Sequence, residues 1–424
     1  MSPSNKLLVL NSGSSSLKFK LYQVASGGGL TSLATGLCER IGDTSKSSIK
    51  ATVTEGTSTS SPPHPSVTRT PFPDHTTALN VVSEFLKDHF HPEFAADVRA
   101  VGHRVVHGLT ISESVLITDQ VRKTIDAASS LAPIHNPANL QGIAAATKIF
   151  PAAAQVAVFD TAFHQTMTPD AFMYALPYEL YADRHVRRYG FHGTSYRYLT
   201  QRTAAALHKH PSEINAIMCH LGAGSSMCAV QGGISVDTTM GMTPLEGLMM
   251  GSRCGDVDPA LPLWLQDAAG MTFDEVDTLL NKKSGFLGLA GNVDLRSVME
   301  SARHGDEKAD LAVAVFIRRV RKYLGAYWMH LNGDVDAVVF SAGIGENSPE
   351  LRRRICGGMR WASVDIDDNK NETAVGSTET VEIQSEVSKV KVLVIPTDEE
   401  LSIAEQTMEV VAMQERATVA GAAA

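Results

Sequence analysis

The sequence predicts an α/β protein built as two similar halves, and three observations carry that prediction. A short apolar run, a Gly/Ser-rich turn and a second apolar run occur twice, as LLVLNSGSSSLKFKLYQV over residues 7–24 and as IMCHLGAGSSMCAVQGG over 217–233. Placing Ser15 and Ser16 on Ser225 and Ser226 superposes strand, turn and strand at an offset of 210 residues. The chain has 424 residues and is 43% hydrophobic, more than one core holds; at about 150 residues per domain it makes two or three. Downstream, continuously apolar runs of the kind found in covered parallel strands alternate with helical patterns. A turn of Gly and Ser lets main-chain N–H groups approach an anion with no Cβ in the way, so its repetition points to two phosphate-handling domains facing one cleft.

The elements follow in order. Residues 7–24 form the first strand hairpin. Residues 44–73 are dense in Ser, Thr and Pro, including SSPPHPS, and carry too few apolar groups to offset their ordering entropy. They read as an extended hairpin tip or mobile surface loop that decorates the domain. Residues 77–90 have helical spacing at Leu79, Val82, Phe85 and Leu86, and AADVRAVGHRVVHG reads as a strand ending in a Gly turn. From Ala154, QVAVFD forms a buried strand whose carboxyl end delivers Asp160 into a turn, the place where open α/β sheets bind ligands. After the second hairpin, DAVVF is a strand leading into SAGIGENSPELRRR. There Ser348 is expected to cap a helix with Pro349 at its first position, leaving GIGEN as a glycine loop aimed at the helix start. KVLVIP is the last strand, and Thr397 with Glu400 is expected to form a capping box for a final helix, freeing Glu399 to face the cleft.

Composition narrows the partners. A net charge of −9 argues against a nucleic-acid or anionic-membrane surface, so any cationic site is local. Cys38, Cys219, Cys228, Cys254 and Cys356 are scattered and form no C-x-x-C pair, which fits a reducing compartment better than a disulfide framework or a zinc site. The apolar run at Leu7–Leu10 is too short for a signal-peptide core, and the stretch near Val313 is broken by Arg318, Arg319, Arg321 and Lys322. The expected location is the cytoplasm.

Several segments carry chemistry. The turn Asn11–Ser16, followed by Lys18, offers an amide, hydroxyls and a cation. A Ser-rich hairpin alone is usually an ordinary turn, and its repetition near Gly222 and Gly224 is what favours a phosphate cradle. GHRVVHG sets Arg104 at a strand end, and EGLMMGSRCGDVDP sets Arg253 in a glycine-framed loop. Each reads as a clamp on a carboxylate or phosphoryl group or as a surface ion pair. FDTAFH and YGFHGTS supply Asp160, His164 and His192, and Asp160 is open to three readings: a metal-positioning carboxylate, a general base or a helix cap.

NSGSSSLKF, GHRVVHGL, APIHNP, VFDTAFH, YGFHGTS, HLGAGSS, DTTMGMTPLEGLMMGSRCGDVDP, AGIGEN and IPTDEEL occur in the order seen in acetate kinases and cover nearly the whole chain. The chain therefore resembles the acetate kinases of the acetate and sugar kinase, heat-shock ATPase and actin superfamily. The resemblance implies two ribonuclease-H-like, actin-like ATPase domains: residues 1–164 with 402–424, carrying 44–73 as a surface insertion, and residues 165–401, which bind nucleotide. It implies reversible phosphoryl transfer from ATP to acetate, giving acetyl phosphate and ADP, with Mg2+ or Mn2+. By the same resemblance Asn11 and Glu399 hold the metal and Lys18 lies near the nucleotide phosphates. Asp160, His192, Arg253 and Arg104 are catalytic, and Arg104, Val106, Ile134, His135, Phe191 and Pro244 receive acetate. His220, Leu221, Gly222, Ala223 and Gly224 match the phosphate loop, Asp294, Leu295 and Arg296 the adenosine contact, and Gly343, Ile344, Gly345, Glu346 and Asn347 the adenine-side loop. Many relatives have Asn in place of Ala223, so a side-chain contact to phosphate is lost there. A homodimer joined through the second domain is also implied.

Acetate is already ionised at neutral pH and the transition state is loose, so Asp160 is expected to order magnesium ahead of moving a proton. The expected course is in-line transfer with Arg253 and Arg104 bridging carboxylate and phosphoryl oxygens and His192 donating to an equatorial oxygen. Propionate or another short-chain acid as acceptor, pyrophosphate as phosphoryl partner, and a non-catalytic nucleotide-gated interaction protein are the alternatives. Gly343 and Ile344 keep the small, flat wall that adenine needs, which favours ATP.

Overall fold

The computed structural model describes residues 5–54 and 66–422. The chain separates into two compact units, Met1–Ala162 with Asp398–Ala424, and Phe163–Thr397. The divisions lie two and four residues earlier than the expected 164/165 and 401/402, so the entire C-terminal helix, Glu399–Ala422, belongs to the first unit.

In the first unit, strands β1 (Lys6–Ser12), β2 (Ser16–Val24), β3 (Leu30–Glu39), β4 (Ser48–Val53), β5 (Ser66–Arg69), β6 (Val98–Val105), β7 (Val115–Leu116) and β8 (Ala154–Phe159) form one sheet in the order β5-β4-β3-β2-β1-β6-β8-β7. β1 is almost wholly apolar because both its faces are covered. Leu8 and Leu10 join Phe19 and the helices His75–His89 and Asn136–Ile149 on one face; Leu7 and Val9 join Ile403, Ala404 and Val411 of the C-terminal helix on the other. The first of these helices starts two residues ahead of the expected 77, because Asp74 Oδ1 accepts from the Thr77 N–H at 2.7 Å. Gly142 lets the second helix approach the sheet: a Cβ there would lie 2.3 Å from Ser12 Oγ.

Of the two readings of the Ser/Thr/Pro segment, extended hairpin or surface loop, the described residues form the hairpin. Residues 48–53 and 66–69 are strands that extend the sheet through β3–β4 and β4–β5 antiparallel ladders. Ladder hydrogen bonds to β3 compensate for the ordering entropy that composition alone leaves unmet. The tip, residues 55–65, lies outside the described residues.

In the second unit, β9 (Ala216–Leu221), β10 (Ser225–Gln231), β11 (Ile234–Thr238), β12 (Ala337–Ser341), β13 (Val381–Glu382) and β14 (Lys391–Val394) are ordered β11-β10-β9-β12-β14-β13. Five strands of each sheet share one plan. β3-β2-β1-β6-β8 and β11-β10-β9-β12-β14 both run antiparallel over the first three and parallel over the last three. This is the ribonuclease-H-like arrangement, made twice. The long helix Glu307–His330 buries Phe316, Val320 and Leu324 in the core of the second unit, while Arg319 pairs with Asp256. No described helix is long and apolar enough to cross a membrane.

The repeated turns differ by one residue. Pairing closes at Ser12↔Leu17 in the first hairpin, leaving residues 13–16, and at Leu221↔Ser225 in the second, leaving residues 222–224. A single offset of 210 therefore cannot superpose both strands of the two hairpins.

Candidate active site

Register gathers the first unit's candidate residues. Asn11 on β1 pairs with Lys18 on β2 and with Arg104 on β6, so the three side chains lie in one row, on the sheet face covered by the C-terminal helix. The first turn of that helix supplies Glu399 and Glu400. Lys18 Nζ lies 2.6 Å from Glu400 Oε1, and Lys20 Nζ lies 2.8 Å from Asp398 Oδ2. The expected capping box is absent, since Glu400 is held by Lys18 and the Leu401 N–H donates to Asp398 Oδ1 at 2.9 Å. The Thr397 N–H instead donates to Glu346 Oε1 at 3.0 Å.

Arg104 grips Asp160 with both prongs of its guanidinium, Nε to Oδ1 at 3.2 Å and Nη2 to Oδ2 at 2.5 Å. Fork geometry of this kind fixes both partners. Burial, with the nearby charge of Asp160, pushes the Glu399 carboxyl up to about 7, against the opposing pull of Arg104 and Lys18.

Two buried asparagines brace this row, and sequence reading passed over both. Asn139 Nδ2 donates to the Ser12 carbonyl at 2.7 Å while its Oδ1 accepts from the Val106 N–H at 3.2 Å. Asn136 accepts from the His107 N–H and donates to the His107 and Ile125 carbonyls. The signal was available: asparagine twice, three residues apart, in an otherwise apolar helix start is costly unless its amides are used. Val106 is buried beside this brace. Ile134 is 53% exposed and lines a cavity of about 390 Å³ with Ser14, Ile41 and His75, whose walls do not include Val106. His135 immediately precedes the helix Asn136–Ile149.

In the second unit, His192 adopts a left-handed backbone (φ 60°) directly before the helix Gly193–Leu207. Its Nδ1 lies 2.8 Å from Ser226 Oγ, and its ring stacks on His220 with centroids 4.2 Å apart. His220 Nδ1 meets Ser195 Oγ at 2.9 Å. His164 is buried beneath, its ring nitrogens against Ser235 Oγ and the Phe191 carbonyl, so its role is to hold the turn before His192. Arg253 donates from Nη1 to the Pro244 carbonyl at 2.7 Å, and among the described residues no carboxylate pairs with it. Burial makes its charge costly and draws its pKa down. Gly224 is where these groups meet: a Cβ there would lie 3.4 Å from Arg253 Nη2 and 3.6 Å from His192 Nε2. Two donors thus converge on a bare stretch of main chain, an arrangement that suits an anionic ligand.

The same turn continues into a cavity of about 790 Å³ within the second unit. Of the residues expected to bind nucleotide there, Gly222, Ala223, Asp294, Leu295, Arg296, Gly343, Ile344 and Asn347 line it. The others are placed differently. Leu221 is buried in the core, Gly345 packs on the Phe340 and Cys219 main chain, His220 lies under His192, and Glu346 turns to Thr397. Arg303, Ser348, Glu350 and Arg353 also line it, with Met299, Pro349 and Glu372; they come from the helix Leu295–Arg303, the start of the helix Pro349–Cys356 and the helix Asp368–Thr373, so no single motif marks them.

The GIGEN segment is also not a loop. Residues Ala342–Asn347 form a helical turn that starts at once after β12, and Ser348 gives no side-chain cap to the next helix, Pro349–Cys356. Buried Arg352 enforces this, donating from Nη1 to the Gly345 and Glu346 carbonyls at 2.7 and 2.8 Å.

The chain is similar to known proteins over nearly its whole length. A sequence model described as the acetokinase family matches residues 6–405. The chain is 47% identical over 413 residues to the acetate kinase of Methanosarcina thermophila, covering 96% of this chain and 97% of that one. Among solved structures, the acetate kinase of Porphyromonas gingivalis superposes with a TM-score of 0.87 at 41% identity, covering 96% of this chain and all of that one (100%). A propionate kinase from Francisella tularensis superposes at 0.86 with 39% identity and the same coverage, 96% and 100%.

Proposed function

The chain belongs to the acetokinase family, and from that premise we propose that it transfers the γ-phosphoryl group of ATP reversibly to acetate, forming acetyl phosphate and ADP. The observation that carries this reading is the convergence of Arg253 and His192 on Gly224, next to a cavity bounded by Gly222 and Ala223. A half-buried guanidinium with no carboxylate partner among the described residues gains most from an anion that carries charge into the transition state.

Phosphoryl transfer through a loose transition state needs charge neutralisation and alignment. Arg253 neutralises the equatorial oxygens, His192 donates a hydrogen bond to one of them, and Arg104 orients the acetate carboxylate while Asp160 holds Arg104 in register. No base is needed for an acceptor that is already ionised. A magnesium ion would be held by the Asn11 amide and Glu399, with Asp160 ordering its water, and would offset the charge of the nucleotide phosphates. The donor set fits: hard oxygens surround a carboxyl whose proton affinity is raised by burial and by a neighbouring carboxylate, the strain that a divalent cation relieves. Lys18 contributes charge next to this group while paired with Glu400.

ATP is favoured over pyrophosphate because Gly343 leaves its wall of the 790 Å³ cavity open, with nothing within 4 Å of its Cβ position. Acetate is favoured over propionate less steeply, since one methylene in an apolar pocket is worth about 1–3 kcal/mol. The structural likeness to a propionate kinase keeps that acceptor as the second reading. We further propose a cytoplasmic homodimer.

Acetyl phosphate formation, trapped as hydroxamate, tests the activity, and kcat/KM for acetate, propionate and butyrate settles the acceptor. Arg253→Ala is expected to lower kcat about 100- to 1000-fold. An unchanged rate at saturating acetate and MgATP, or a stable phosphoenzyme, refutes the mechanism.

A further inference from the structure

His192 is the near end of a buried chain of hydroxyls. Its Nδ1 lies 2.8 Å from Ser226 Oγ, which lies 2.5 Å from the Tyr196 hydroxyl. Ser226 and Tyr196 are both 0% exposed. Burial holds the Tyr196 phenol well above its usual range, so it keeps its proton.

These facts give the chain a direction. The buried phenol needs an acceptor for its proton, and Ser226 Oγ is the partner in reach. Ser226 then turns its hydroxyl proton to His192 Nδ1, which must accept it and so carries no proton of its own. A neutral imidazole in that state bears its proton on Nε2, the nitrogen that lies with Arg253 Nη2 against Gly224.

We propose that Tyr196 and Ser226 are positioning residues that fix His192 as the Nε2–H tautomer, a neutral donor aimed at the transferring group, and that they oppose its conversion to imidazolium. Protonation at Nδ1 would reverse the His192–Ser226 bond and turn the Ser226 proton toward the Tyr196 oxygen, leaving one of the two buried hydroxyl protons without an acceptor. The other groups facing this chain work in the same sense. His220 stacks on His192, the Arg253 guanidinium adds positive charge, and His164 lies 5.6 Å from the Tyr196 ring. The buried Cys219 and Cys228 thiols stay neutral, their pKa values raised by burial. Part of this inference, the step from tautomer to rate, rests on His192 serving the proposed transfer.

The test uses the full chain with 15N-labelled histidine. Long-range proton–nitrogen correlation, with His192→Gln to assign the signal, is expected to show a single Nε2–H tautomer in the wild type. Tyr196→Phe and Ser226→Ala are expected to mix the tautomers, to move the acid limb of the kcat profile to higher pH and to lower kcat about tenfold, the kinetic equivalent of one neutral hydrogen bond. The KM for ATP should stay unchanged. An Nδ1–H tautomer in the wild type overturns the inference even where a variant fails to fold, and so does an unmoved tautomer and acid limb in folded variants. A normal kcat in His192→Gln alongside the expected spectra would instead reject His192's part in transfer and leave the relay standing.

Discussion

Gly224→Ala is the sharpest perturbation of the proposed chemistry, because its effects on folding and on turnover separate. Gly224 has no positive φ, and an added Cβ would meet Arg253 Nη2 at 3.4 Å and His192 Nε2 and Cε1 at 3.6 and 3.7 Å, all ordinary contacts. Stability should therefore change by no more than about 0.5 kcal/mol. The methyl nevertheless occupies the point on which the two donors converge. An anionic oxygen held there must retreat from at least one of them, and one lost preorganised donor costs about 2.7–4 kcal/mol, or 100- to 1000-fold in kcat. Initial rates of hydroxamate formation at saturating acetate and MgATP, paired with a thermal melt, provide the comparison. A variant that melts normally and turns over at the wild-type rate would show that the two donors do not act at Gly224, and the reading of the second unit's site would fall.

Three further outcomes are expected. Glu399→Gln should raise the magnesium concentration for half-maximal rate about 10- to 100-fold or more; a metal titration that superposes on the wild type excludes Glu399 as a ligand. His103 is buried and donates from Nε2 to Gln155 Oε1 at 2.8 Å, and burial depresses its pKa to about 4. The unfolded chain takes up that proton near 6.5, so the stability is full above 6.5 and is lost as pH falls toward 4, by about 3 kcal/mol at most; denaturant midpoints across this range should slope in the wild type and flatten in His103→Gln. Arg352 is fully buried, donates to Asn371 as well as to Gly345 and Glu346, and has its pKa drawn down to about 10 by burial. Arg352→Met should cost about 3–5 kcal/mol in chemical denaturation and raise the KM for ATP, since it frees the turn that carries Gly343 and Ile344; a fully stable variant with an unchanged KM contradicts that account.

Strand positions were legible because each buried strand of this fold is apolar on both faces, so QVAVFD, DAVVF and KVLVIP announce themselves without periodicity. Asp160 was legible as the residue that such a strand delivers to its carboxyl end. The misread segments depend on partners outside their own motifs. Residues 48–53 look unstructured until β3 offers its edge, and GIGEN looks like a loop until Arg352 collects its carbonyls. Thr397 and Glu400 have capping-box spacing, but Lys18 and Glu346 compete for their groups from distant parts of the chain. Local spacing also cannot report register, and it is register that sets Lys18, Asn11 and Arg104 in one row.

The return of the last helix to the first unit has a consequence for biosynthesis. Residues 163–397 are contiguous, so the second unit has every strand it needs as soon as they leave the ribosome. The first unit does not: until Ile403, Ala404 and Val411 emerge, Leu7, Val9, Val156 and Val158 present an uncovered apolar sheet face. Although made first, that unit is completed last, and Glu399 arrives with the helix that completes it. A nascent chain is therefore exposed to aggregation until residues 399–411 emerge, and Glu399, the proposed metal ligand, arrives only with them.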